Sequence, residues 1–225
     1  MARNRTFAEI KAEVYERSDV DTNYVSAAEM GRMVNASLAE LYDLLVSVNK
    51  DLYVSSQSVS VVSGTDEYDL ASDFYRIEGV DVTSGSKSYP MKRFNFSERN
   101  ALQDAGTTEL STRYRAIGTT IKFIPTPNWS GTVTVWYCPA PSELDEDSDT
   151  WNGFAGWEEY AVVDCCIKLA QKQEEDATLL VKQKADLVAR IRNMATDLDD
   201  NEPDRVRDVE METLGLDVWD VLRNA

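Results

Sequence analysis

The period of the apolar residues changes twice along this chain, and that switch limits the fold more than any single motif. Met30, Val34, Leu38, Leu41, Leu45 and Val48 step by three and four, the spacing of one helix face. From about residue 53 the step becomes two. Val59 and Val61 alternate with serines, Ile121 and Phe123 with Thr120 and Lys122, and Val133, Val135 and Tyr137 with Thr132, Thr134 and Trp136. Such alternation marks strands with one buried face. Helical spacing returns with Trp157, Tyr160, Ile167 and Ala170, then with Ala177, Leu180, Leu187, Ile191 and Met194.

The order is helices, strands, helices. It predicts an α+β fold in which a helical bundle formed by the N- and C-terminal helices carries an inserted antiparallel β-module, followed by an extended C-terminal tail. The expected divisions are N-terminal helices over 1–52, the β-module with one short helix over 53–150, C-terminal helices over 151–197, and a linker and tail over 198–225.

Local signals refine this outline. Thr6-x-x-Glu9 and Ser26-x-x-Glu29 fit the capping box, in which hydroxyl and carboxylate satisfy reciprocal backbone N–H groups. Asn95-x-x-Glu98 predicts a short helix to about Asp104. Ile117-Gly118-Thr119 and residues 82–89 read as hairpin tips. In "GTDEYDLASDFYRI" (64–77), Gly64 to Glu67 turn the chain, Tyr68 to Leu70 pair back, and Ala71-Ser72-Asp73 make a tight turn. Ile77 and Val80 lie three apart, so a bulge near Gly79 is expected. Tyr68, Leu70, Phe74, Ile77, Ile121, Phe123, Val133 and Val135 are the expected β-core. Glu174-Glu175-Asp176 falls between the last two helical stripes and favours two helices over one long helix, with Asp176 able to cap the second.

Chemistry is sparse. The chain has no histidine and three cysteines, two of them adjacent, which removes His-dependent nucleophiles and most zinc sites. Buried reduced thiols are expected. Asp145, Asp147 and Asp149 resemble the start of a calcium loop, but Thr150 and Gly156 stand where its glycine and closing glutamate belong, so a solvated loop is expected. With 40 acidic residues, carboxylate pairs suited to glycoside hydrolysis are too common to be informative.

The formal charge is −17, which opposes sequence-specific nucleic-acid binding; composition alone favours ordinary solubility as its role, and a wall that DNA slides past is the alternative. No apolar run reaches the roughly 20 residues of a membrane span, and the start lacks a secretory leader, so a soluble, cytoplasmically made protein is expected.

Four stretches together resemble the head–tail adaptor (connector) proteins of tailed bacteriophages: "TFAEIKAEVYERSD", "SVSVVSGTDEYDLASDFYRIEGVDV", "YRAIGTTIKFIPTPNWSGTVTVWYCPAPSEL" and "WEEYAVVDCCIKLAQKQEEDATLLVKQKADLVARI". The similarity runs over roughly residues 6–210 and departs from the family at Ala71, where a proline is usual. It implies no cofactor and no enzymatic activity. It also implies a homo-oligomeric ring, a dodecamer matching the portal, located at the portal vertex of the virion after assembly in the host cytoplasm. Its partners would be the portal protein and a tail or nozzle protein, with DNA passing through and no membrane. A tail-completion or stopper ring is the alternative within the same particle, and a wall-degrading glycosidase a more distant one.

The last stretch follows a polar linker. Val206, Val209, Met211, Leu214, Leu216, Trp219 and Leu222 are too apolar and too closely spaced for a flexible spacer. They are expected either to fold back on their own subunit or to dock on the portal or a neighbour, as an added strand or a helix in a groove.

Overall fold

The computed structural model describes residues 5–103, 108–151, 153 and 156–196. The segment read as a docking tail lies outside them.

Four helices build the body: α1 (Phe7–Arg17), α2 (Ala27–Val48), α4 (Glu159–Lys172) and α5 (Thr178–Thr196). The Thr6 capping box forms in full, with Thr6 Oγ1 accepting from Glu9 N and Glu9 accepting from Thr6 N. Ser26 caps α2 in the same way, but Glu29 turns outward to Lys172 Nζ at 2.7 Å, so the second box stays half-made. Helix α4 packs against α1, α2 and α5. It is buried on nearly every side, from Tyr160 through Ile167, as expected of a helix at the centre of a bundle. All three cysteines are free and buried.

Two helices, not one, close the body. Glu174 adopts a positive φ of 60° between them, and Asp176 accepts from Thr178 N at 2.9 Å. The buried line of α5 runs through Ile191 and Ala195, whereas Met194 is exposed. Leu180 and Ile191 meet the body core as expected, and the last step differs, running four residues on to Ala195 instead of three to Met194.

The β-module is a sandwich of two four-stranded sheets. One has the order β1 (Ser55–Val61), β8 (Gly131–Pro139), β3 (Phe74–Ser84), β4 (Lys87–Pro90). The other has the order β2 (Glu67–Asp69), β7 (Thr120–Ile124), β6 (Arg113–Ile117), β5 (Lys92–Arg93). Val59, Val61, Val80, Val82, Val133 and Val135 of the first sheet meet Tyr114, Ile121 and Phe123 of the second in one core.

Both hairpin tips turn on glycines at positive φ, Gly85 at 63° and Gly118 at 60°, where a Cβ is strained. The 64–77 segment holds a correction. Tyr68 pairs with Ile121 of β7, so Gly64 carries the chain across to the opposite sheet instead of back along β1. The Tyr68 hydroxyl still ties to β1's end, accepting from Val62 N at 2.7 Å. Ala71 to Phe74 is a tight turn, with Phe74 N donating to Ala71 O at 2.9 Å.

The expected bulge is present, and β3 has a second. Its register against β8 shifts between Phe74 and Arg76 and again between Ile77 and Gly79, so Tyr75 and Glu78 are the extra residues. Phe74, Ile77 and Tyr68 are only partly buried at the core's edge. The sheets are not wholly antiparallel, because β5 runs parallel to β6. The short helix is a 3₁₀ turn, Phe96–Glu98, leading into α3 (Arg99–Gln103), and Asn95 provides no side-chain bond to its backbone.

The 139–150 connector does more than solvate. Leu144 is buried in the body core, and Phe7 N and Ala8 N donate to the carbonyls of Asp149 (2.7 Å) and Asp147 (3.1 Å). These bonds satisfy donors that α1's first turn leaves open. Asp149 meanwhile accepts from the backbone of Asp145 and Glu146. No group able to hold a metal ion occurs among the described residues.

Candidate functional site

Three places concentrate polar chemistry. The first is inside the body, where Asp164 on α4 is 3% exposed. It takes 2.6 Å contacts from Lys184 of α5, Lys168 of α4 and Ser37 of α2. Burial raises its pKa, but these hydrogen bonds outweigh burial and hold it below the usual carboxylate value. Lys184 is shifted upward: burial opposes its charge, and the bonds to Asp164 and Tyr160 more than compensate. Burial pushes the neighbouring Cys165 thiol from 9.0 up to about 11. A general acid needs a raised carboxyl and a nucleophilic cysteine a lowered thiol. Both shifts run the other way, which is the chemistry of a structural clamp across three helices.

The second place joins body to sandwich. Tyr42 of α2 donates to the carbonyl of Pro139 at the end of β8, and its ring lies 4.7 Å from that of Tyr53 and 6.3 Å from that of Tyr75. Tyr75 reaches Asp43 at 2.8 Å. Tyr42, Val46 and Cys138 form a small buried core of their own. Burial raises the Tyr53 hydroxyl from 10.0 to about 12. Apart from Asp43 the side chains here are aromatic, aliphatic or thiol, and they join the two parts.

The third is the outer face of the second sheet. Register sets Arg115 opposite Lys122 and Arg113 opposite Lys92. Directly opposed residues share a face, so four cations project together from three strands. Over this face lie Phe96, 50% exposed, and Arg99. The guanidinium carbons of Arg99 and Arg115 lie 4.4 and 5.7 Å from the Phe96 ring centre. Between them runs a groove of about 480 Å³, lined in part by Phe94, Phe96, Arg99, Ile117, Lys122 and Ile124.

This groove was missed in the sequence reading, although a signal was there. Residues 87–122 contain seven of the chain's 23 Lys and Arg against three acidic residues, and strand alternation puts Arg113, Arg115 and Lys122 on the polar face. The candidate docking residues Val206, Val209, Met211, Leu214, Leu216, Trp219 and Leu222 lie outside the described residues, so no geometry brings them to a site.

Among the described residues no helix is long and apolar enough to cross a membrane. No curated protein matches the chain. A family model described as SU10 adaptor protein matches residues 5–210, a span that takes in the helical body, the whole β-sandwich and the start of the C-terminal segment. On that match the chain belongs to the SU10 adaptor protein family and is a phage adaptor of structural type.

Proposed function

We propose that the chain assembles into a homo-oligomeric ring, a dodecamer, that docks beneath the portal and joins it to the tail or nozzle at the virion neck. DNA passes through the ring without sequence-specific binding. The family match over residues 5–210 carries this reading, since it covers body and sandwich in one run. A head-to-tail interface that closes on itself yields a ring without any reactive residue. The net charge of −17 suits a channel that repels phosphates. In this reading the 201–225 segment is the anchor on the portal or a neighbour, where repetition around the ring raises avidity.

Mass measurement of the purified protein with and without portal tests the reading. The expected result is monomer alone at low salt and a ring-sized complex with portal. A complex that forms only with tail components would place the ring one layer lower, as a stopper.

A further inference from the structure

The groove on the second sheet has a feature that folding alone does not explain. Like charges set directly opposite each other on a sheet are destabilising, yet this face holds two such pairs, Arg115 with Lys122 and Arg113 with Lys92. Local carboxylates offset them only in part: Glu67 lines the groove but accepts from the Thr120 hydroxyl at 2.8 Å and forms no ion pair with these cations. Lys122 has Asp66 at 3.2 Å and Arg113 has Glu98 at 3.8 Å. Arg115 bonds the carbonyl of Phe94 at 3.3 Å, and Arg99 that of Phe96 at 2.9 Å. No carboxylate partner is found for Arg99 or Arg115 among the described residues. The same groove exposes the Phe96 ring and Ile117. Its occupant should therefore be both acidic and apolar.

We infer that this groove receives the chain's own C-terminal segment, residues 208–222. That segment, "DVEMETLGLDVWDVL", interleaves Asp208, Glu210, Glu212, Asp217 and Asp220 with Val209, Met211, Leu214, Leu216, Trp219 and Leu222, and has no Lys or Arg. Duplex DNA matches the cations but not the exposed ring and aliphatic lining. It would also have to approach a chain of net charge −17.

The tether favours contact within one chain. Helix α5 is described as far as Thr196, and Asn49, just before the strands begin, donates to the Ala195 carbonyl at 3.1 Å. The C-terminal segment thus departs beside the junction of body and sandwich. The residues between Thr196 and Asp208 span up to about 40 Å when extended. A short tether gives an effective concentration in the millimolar range, whereas two copies of so acidic a chain repel at low salt. The isolated chain accordingly holds this segment on its own sandwich. This contact belongs to the isolated chain and does not depend on the ring reading.

Carbodiimide cross-linking of the full-length protein at low salt, without portal, tests it. An equal mixture of ¹⁴N- and ¹⁵N-labelled protein separates contacts within a chain from contacts between chains. Mass spectrometry is expected to find carboxylates of 208–222 joined to Lys122 or Lys92 within one isotope class. The variant R99E/R115E keeps both lysines and should lower that yield about tenfold, as attraction becomes repulsion, while its thermal midpoint confirms folding. Mixed-isotope links, or links chiefly to lysines of the helical body, overturn the assignment. So does a short DNA duplex that binds wild-type protein but not the variant while the segment fails to cross-link. Because portal is absent, failure here leaves the portal mass measurement as a separate test of the ring.

Discussion

Lys184 Nζ sits 2.6 Å from Asp164 Oδ1 and joins α5 to the central helix. Lys168 and Ser37 join the cluster, so removing the carboxylate leaves two ammonium groups in a half-buried space with only the more exposed Glu40, at 3.3 and 3.4 Å, to offset them. Asp164→Ala should cost about 3–5 kcal/mol, the range for deleting one partner of a buried pair. Chemical denaturation measures it. A double-mutant cycle with Lys184→Ala should show strong non-additivity, since the second change removes one stranded charge.

Alkaline pH should unfold the protein before mild acid does. Cys165 and Tyr53 have folded pKa values raised by burial, from 9.0 to about 11 and from 10.0 to about 12. Groups raised in this way contribute stability that is complete below their unfolded values and is lost as pH climbs through the folded ones. Asp164 is lowered, so its contribution holds above the ordinary carboxylate range and fades only as pH falls below it. Thermal midpoints should stay level through neutrality and decline above pH 9.

Phe123 is fully buried in the sandwich core, while Phe74 lies at its rim against Tyr137, with ring centres 5.9 Å apart. Phe123→Ala should cost about 3–5 kcal/mol, and Phe74→Ala clearly less. Equal losses in denaturant titrations would show that the rim is as tightly packed as the centre.

Thr6→Ala should cost about 1 kcal/mol, the usual worth of an N-cap hydroxyl. The loss stays modest because the carbonyls of Asp147 and Asp149 still hold the next donors of α1. Hydrogen exchange should speed up at Glu9 N, whose acceptor is removed, and remain slow at Phe7.

Tyr42→Phe removes the hydroxyl that donates to Pro139 and neighbours Cys138 Sγ at 3.2 Å. About 1–3 kcal/mol is expected from the unpaired carbonyl. If body and sandwich unfold together in the wild type, calorimetry of this variant should show the single transition broadening or splitting.

How much of this was legible depends on range. The alternation of Val133, Val135 and Tyr137, the caps at Thr6 and Asp176, and the phase flip before Val80 are local, and each appeared where spacing placed it. The partner of Tyr68 was not legible, because a three-residue strand pairs by where its turn delivers it. Nor was the docking of Leu144, a single apolar residue in an acidic connector with no period to reveal its face. The basic groove failed for another reason. Its cations come from β5, β6, β7 and α3, and only the register collects them.

Both chain crossings between body and sandwich lie at one end of the first sheet. Strand β1 begins there and β8 finishes there, with Ser55 opposite Tyr137. A pull that draws the body from the sandwich therefore tugs these two strands in the same direction. It does not peel one off the other. The resistance comes from β3, whose ladder with β8 runs from Phe74 to Thr83 and is loaded lengthwise, so its bonds share the strain instead of opening in turn. That makes the strand axis the direction of greatest mechanical strength in the chain.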